Sequence, residues 1–224
     1  HSLGIFYHGM TQFLGYLNYG DEYKLMGLAA YGEPKYFEKL KDNLFFEHSD
    51  QLVKLNLKFF NHQKRDYQYI AEEKLIIDQI YNDEFLKLFN EEIKNKDKKE
   101  EFSKNFACSV QKVYEFFFKK ILNKVISKNF SNKLVFSGGR ALNSSANKIL
   151  TENKSLFENV FINYAPGDNG GAIGAALVVA NQNGKKIENL KTPYLGRKFN
   201  KDEIEGIVNK YEYKKKLNYK FFDK

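Results

Sequence analysis

Phe106, Val110, Val113, Phe117, Ile121 and Val125 recur at intervals of 4, 3, 4, 4 and 4 residues, which lays them along one face of a helix. The spacing predicts a long, buried amphipathic helix ending near Asn129. Lys133 to Phe136 then forms a short apolar β-run that opens directly onto Ser137, Gly138 and Gly139. A second run, Val160 to Tyr164, opens onto Ala165, Pro166, Gly167 and Asp168, and a helix of small residues, Gly170 to Ala180, follows. Helix, strand, glycine loop, helix, strand, glycine loop, helix is an α/β layout. Its two loops sit at the carboxyl ends of neighbouring strands, where open sheets bind ligands.

Upstream the pattern is less regular. Residues 1–34 are rich in glycine and aromatics, and Gly4, Gly9, Gly15, Gly20, Gly27 and Gly32 punctuate short apolar runs, a spacing that suggests backbone packed close to something. Glu22 to Tyr31 predicts a helix around Leu25, Met26 and Leu28, stopped by Gly32 and Pro34. In residues 35–103 Lys, Asn, Glu and Asp dominate. There Ile76, Ile77, Ile80, Phe85, Leu88 and Phe89 keep helical spacing, whereas Asn95 to Glu101 is a charge run. This region reads as an insert of surface helices with solvated faces and a mobile connection. Near the end, Pro193, Tyr194, Leu195 and Gly196 break the pattern, and Asn200 with Glu203 forms a capping-box start for a helix through Ile204, Ile207 and Val208. There is no internal repeat and no long low-complexity linker.

Composition narrows the classes. The 224 residues can bury a core without disulfide or metal support, and the single Cys108 rules out a disulfide framework within the chain. No Cys/His pair has zinc-finger spacing, and no apolar run reaches membrane-spanning length. The N-terminus lacks the order of a signal peptide, so a soluble, cytoplasmic protein with no membrane partner is expected. Lys and Arg number 36 against 28 Asp and Glu, a formal charge of +8. Residues 181–224 hold 12 of those bases against six acids, however, so most of the excess lies in a Lys-rich tail around Lys214, Lys215 and Lys216. A solvated tail without a recognised motif does not point to nucleic acid.

Three stretches have chemistry to offer. In Ser137-Gly138-Gly139-Arg140-Ala141-Leu142-Asn143, paired glycines let backbone N–H groups face an anion, and the helix whose first turn holds Asn143 adds partial positive charge. The same residues also suit a tight strand-to-helix turn, and they match neither the Walker nor the dinucleotide pattern. In Pro166-Gly167-Asp168-Asn169-Gly170-Gly171, Asp168 reads either as a helix cap or as a carboxylate that holds a metal beside a phosphate. Two such loops facing each other across a cleft suggest a nucleotide held from both sides. In Asp21 to Gly32, Lys24 can meet a phosphate and Gly27 and Gly32 admit close backbone approach. The alternative is a short amphipathic helix with Glu22 and Lys24 on the surface. His1, His8, His48 and His62 form no local ligand pair and read as surface or packing residues, and no Gly-x-Ser-x-Gly elbow is present.

The order of these stretches resembles the O-carbamoyltransferase family of nodulation-factor and antibiotic biosynthesis. The likeness rests on Ser2-Leu3-Gly4 with Leu14-Gly15-Tyr16, then Glu22 to Gly32, then Gly138-Gly139-x-Ala141-Leu142-Asn143, then Gly167-Asp168-x-Gly170-Gly171, with Tyr194-Leu195-Gly196 matching a late position. It runs from residue 1 to about 208. It implies a partial actin/Hsp70/sugar-kinase-like (ribonuclease H-like) α/β fold with a charge-rich helical insert at 35–103, similar to the tRNA threonylcarbamoyladenosine-forming ATPases. Residues 1–196 would be part of that N-terminal domain, and 197–224 a connection toward a C-terminal domain.

The activity so implied is ATP-dependent. Carbamoyl phosphate, handled by the second domain, and ATP give carbamoyl-adenylate, and the carbamoyl group passes to the hydroxyl of a small molecule or glycan. By motif, Gly138, Gly139 and Asn143 would contact the nucleotide, Gly167, Gly170 and Gly171 would line its other side, and Lys24 and Gly32 would lie near it. Asp168 would hold iron or another divalent ion. The family's paired histidines lie upstream of the first motif, and His1 and His8 lack their spacing. Arg140 stands where the family has a small apolar residue and is expected to point outward. On this resemblance the chain is an internal piece of a longer enzyme, inactive alone. A sugar or small-molecule kinase of the same fold, or a non-catalytic nucleotide-binding domain, are the rival readings.

Overall fold

The computed structural model describes residues 1–46, 52–64, 77–152, 157–185, 193–194 and 196–210; Ile76, Leu195 and the basic run at 214–216 lie outside them. The chain divides into two compact units, residues 1–175 and 176–224.

The first unit opens with helix α1 (Leu3–Phe13), capped by Ser2, whose hydroxyl accepts from the Gly4 N–H at 2.9 Å. Leu3, Phe6, Tyr7 and Met10 follow at helical spacing and are buried. The runs punctuated by Gly4 and Gly9 are therefore one helix. Its glycines weaken it intrinsically, but Gly9 lets Ile80 approach so closely that a Cβ would lie 2.9 Å from the Ile80 Cγ2. Helix α2 (Glu22–Ala29) lies where the pattern placed it, and α3 (Phe37–Leu44) follows. Beyond a 3-10 turn at Leu57–Phe59 come α4 (Asp83–Leu88), α5 (Asn90–Lys94) and α6 (Lys99–Ser127).

Helix α6 has 29 residues and is about 43 Å long at 1.5 Å per residue. It starts with Glu100 and Glu101, which suit the positive end of its dipole, and it ends at Asn129, whose φ of 50° places it in the left-handed cap region. Phe106, Val110, Val113 and Phe117 of the predicted face are buried.

The insert departs from its expected surface character. Leu40, Leu44, Phe45, Phe59, Phe60, Ile80, Phe85, Phe89 and Phe102 are all buried. Phe13 meets Phe85 edge-on with centroids 5.0 Å apart, Phe89 meets Phe106 at 5.2 Å, and Phe45 stacks on Phe117 at 4.1 Å. Charged residues between the aromatics hide this from a composition reading. The run at Asn95 to Glu101 is exposed where described, as its charge requires.

Strand β1 (Lys133–Phe136) pairs in parallel with β2 (Asn159–Ile162), Leu134 opposite Val160 and Phe136 opposite Ile162, and α7 (Ser144–Glu152) connects them. Those four residues pack on the core, while Val135 and Phe161 on the other face are exposed. The described residues thus form a mixed α/β structure with a small parallel sheet. Helix α8 (Gly170–Gln182) crosses from the first unit into the second. The second unit also contains α9 (Lys201–Lys210), closed by the predicted capping box: the Asn200 Oδ1 accepts from Glu203 N–H and the Glu203 Oε2 from Asn200 N–H, both at 2.9 Å.

Candidate functional site

The two glycine loops meet within the first unit. Gly138, at φ +96°, donates its N–H to the Pro166 carbonyl at 2.6 Å, a backbone conformation that favours glycine. A Cβ on Gly167 would lie 3.3 Å from Leu142 Cδ1, so the loops touch. Around Gly139 and Gly171, by contrast, a Cβ would meet nothing within 4 Å, and backbone there is open to approach. Gly170 has a packing reason: a Cβ would strike the Ala165 carbonyl at the end of β2. Asp168 is exposed, and its carbonyl accepts from the Gly171 N–H at 3.0 Å in the turn that starts α8.

Asn143 sits differently from expectation. A 3-10 turn, Gly139–Leu142, follows the glycine pair, so Asn143 precedes α7 instead of lying in its first turn. Its Oδ1 accepts from the Ala146 N–H at 3.0 Å and from Gln111 Nε2 at 3.1 Å, and its Nδ2 donates to Gln111 Oε1 at 3.2 Å. Tyr7 completes this buried network by donating to Gln111 Oε1 at 2.7 Å. Burial, chiefly, pushes the Tyr7 phenol far up, so it stays a donor.

Lys24 and Gly32 are held by other contacts. Lys24 forms an ion pair with Asp21 at 2.8 Å, which holds the Asp21 carboxyl below its usual range. Gly32 rests against α6, where a Cβ would drive into the Lys104 carbonyl. Neither residue lines the cavity beside the first glycine loop, a space of about 660 Å³ bounded by α1, α2, Ile77, Ile80, Gly139, Arg140, Leu142 and Asn143. Gln12 fixes its outer wall, accepting from the Ile80 N–H at 2.9 Å and donating to the Ile77 carbonyl at 3.2 Å.

Two polar groups in that cavity were not foreseen as a pair. Arg140, expected to point outward, is half-buried and turns in over the first turn of α1, its guanidinium carbon 5.9 Å from the Tyr114 ring centre. Gly4 allows this by offering no side chain. Burial lowers the Arg140 pKa, and among the described residues it forms no ion pair or side-chain hydrogen bond. His8, one turn beyond Gly4, is buried, and its Nδ1 lies 2.9 Å from Glu22 Oε1. Burial acts to raise the Glu22 carboxyl, but the His8 hydrogen bond, its own backbone N–H and the nearby His8 and Arg140 charges outweigh it and the carboxyl titrates low. The ionised carboxylate only accepts, so Nδ1 carries the proton of this contact and Nε2 is the ring nitrogen left over. That Nε2 is buried and has no partner among the described residues. The i, i+4 pairing of Gly4 with His8 was the available sequence signal, but it becomes visible only once α1 is a helix.

Among the described residues no three His, Cys, Asp or Glu side chains converge, and Asp168 offers a single exposed carboxylate. No helix among the described residues is long and apolar enough to cross a membrane.

The family model of the carbamoyltransferase N-terminus matches residues 1–177, a span that includes both glycine loops and the whole cavity. The chain therefore belongs to the carbamoyltransferase N-terminal-domain family. It is 35% identical over 216 residues to an uncharacterised protein of Synechocystis sp., covering 93% of this chain and 33% of that protein. It is 30% identical over 230 residues to an uncharacterised protein of Methanocaldococcus jannaschii, covering 98% of this chain and 33% of that one. The nodulation protein NolNO of Sinorhizobium fredii is 28% identical over 205 residues, with 87% of this chain and 25% of that protein covered. The chain thus spans about a third or less of the length of these relatives.

Proposed function

We propose that the chain is the nucleotide-holding part of an O-carbamoyltransferase. It receives a carbamoyl group as carbamoyl-adenylate, made from carbamoyl phosphate and ATP with the help of a further domain, and passes it to a hydroxyl of a small molecule or glycan. The observation that carries this reading is the family match over residues 1–177, reinforced by the contact between the loops at Gly138 and Pro166. On this reading β1, α7 and β2 are the βαβ element of an actin/Hsp70/sugar-kinase-like fold. Open backbone at Gly139 and Gly171 and the N-terminus of α8 would take the phosphate, and fixed N–H dipoles would stabilise charge that grows as AMP leaves. Residues 1–196 would belong to the N-terminal domain and 197–224 would lead toward the next.

The test uses the full-length protein with carbamoyl phosphate, ATP and a panel of hydroxyl compounds. Expected are pyrophosphate release that requires carbamoyl phosphate, and a carbamoyl ester on the acceptor detected by mass. Phosphorylated acceptor formed without carbamoyl phosphate would replace this reading with the kinase. The 224-residue chain alone should form no ester, and its calorimetric affinity for ATP should fall in Asp168→Ala.

A further inference from the structure

Among the described residues, the cavity beside α1 has one carboxylate in its lining, that of Glu22, the first residue of α2. Its side chain is 29% exposed, enough for a bound molecule to reach it. Its Oε1 lies 2.9 Å from His8 Nδ1, the one side-chain hydrogen bond it makes among the described residues, so the group is anchored through one oxygen. The carboxyl titrates below the usual glutamate value of 4.5 and is an anion at neutral pH. The charged groups that face it are His8 from α1 and Arg140 from the first glycine loop, and Tyr7, Tyr19 and Tyr23 line the same space. Gly139, whose backbone is open to a phosphate, borders this cavity too.

Other groups nearby that could take a proton are already engaged. Tyr7 donates to Gln111, and the Asn143 amide is held by Gln111 and the Ala146 N–H. Asp21, outside the cavity lining, accepts from the Asn18 N–H and Nδ2 and pairs with Lys24. The His8 Nε2 is closed off by burial. Glu22 is thus the accessible anion on a wall otherwise made largely of apolar and aromatic side chains such as Ile5, Tyr23, Met26 and Leu142.

We infer that Glu22 is the general base of the transfer step, accepting the hydrogen of the acceptor hydroxyl in this cavity, and that His8 is the residue that positions it. The inference rests on the carbamoyl-transfer reading. In the step, the acceptor oxygen bonds to the carbamoyl carbon, and the bond from that carbon to the phosphate oxygen breaks. AMP leaves with that electron pair, and the hydroxyl proton passes to Glu22, which later yields it to water. A weakly basic carboxylate suffices, because the hydroxyl becomes acidic as its oxygen joins the carbonyl carbon and the proton moves late. Carboxylates accept hydroxyl protons in the same way in phosphoryl transfer.

The test compares two nucleophiles on the full-length protein with carbamoyl phosphate and ATP: the hydroxyl compound that the wild type carbamoylates fastest, and hydroxylamine, which needs no base and gives hydroxyurea. Glu22→Gln should lower ester formation by about 10²–10⁴-fold and keep hydroxyurea formation. Glu22→Asp, which retains a carboxylate, should form ester faster than Glu22→Gln. Because the carboxyl titrates below 4.5, the wild-type ester rate should be level from about pH 6 to 8, whereas that of Glu22→Gln should rise about tenfold per pH unit as hydroxide takes over. Ester formation by Glu22→Gln at the wild-type rate would overturn the inference, as would an equal loss of ester and hydroxyurea, which marks a structural role, or parallel pH profiles. A wild type that forms no ester with any hydroxyl compound would overturn the carbamoyl-transfer reading itself, and the base with it.

Discussion

The Arg140 guanidinium occupies the space that a Cβ on Gly4 would fill, so the first turn of α1 and the first glycine loop interlock through one flexible side chain. Gly4→Ala should therefore move Arg140 rather than the backbone. Alanine favours the helix by about 0.5–1 kcal/mol, and the displaced guanidinium loses its packing over Tyr114, so the two effects oppose. A change in unfolding free energy within about 1 kcal/mol is expected from denaturant titration. A loss of several kcal/mol would show that Arg140 cannot move aside.

Gly32 gives the opposite case. There the obstacle to a Cβ is the Lys104 carbonyl in the second turn of α6. The neighbouring chain is pinned as well, since the Glu33 N–H donates to Asn105 Oδ1 at 2.8 Å and the Tyr36 N–H to Ser109 Oγ at 2.9 Å. Backbone cannot yield as a side chain can. Gly32→Ala should cost about 2–3 kcal/mol in denaturant unfolding, with ATP affinity of the folded protein unchanged. A selective loss of ATP affinity at full stability would place Gly32 at the nucleotide and not in the packing against α6.

The regular elements could be read from the chain because their signals are local. Strand Lys133–Phe136 and the apolar stripe from Phe106 to Phe117 need only alternation or period to appear. Helix α1 escaped because glycine at 4 and 9 looked like punctuation, while its true cause lies in Arg140 and Ile80, distant in sequence. The insert escaped because Phe85, Phe89 and Phe102 stand among charges, and only their meeting with Phe13 and Phe106 makes them core. At the site, motif order found the loops. The His8–Glu22 pair joins two helices and depends on their packing, which no spacing within either one encodes.

The Tyr7–Gln111–Asn143 network ties α1, α6 and the cap of α7 together. Asn143→Ala removes the acceptor for Ala146 N–H and one partner of Gln111, and about 2–3 kcal/mol of destabilisation is expected. Tyr7→Phe should cost about 1 kcal/mol, since Gln111 Oε1 keeps the Asn143 donor. Because the residues share Gln111, the double variant should cost less than the sum of the two. Strict additivity in a double-mutant cycle would show that the three do not act as one unit.

The His8–Glu22 contact also predicts a pH dependence. The Glu22 carboxyl has a folded-state pKa below its unfolded value of 4.5. A group shifted in this direction stabilises the protein fully above the unfolded value, and its contribution disappears as pH falls through the lower, folded value. The stability difference between the wild type and Glu22→Gln should therefore be constant from pH 7 to about 5 and shrink below 4.5. Unfolding midpoints of both proteins across that range measure it. A difference that grows on acidification would reverse the sign, and would mean that burial, not the His8 hydrogen bond, governs this carboxyl.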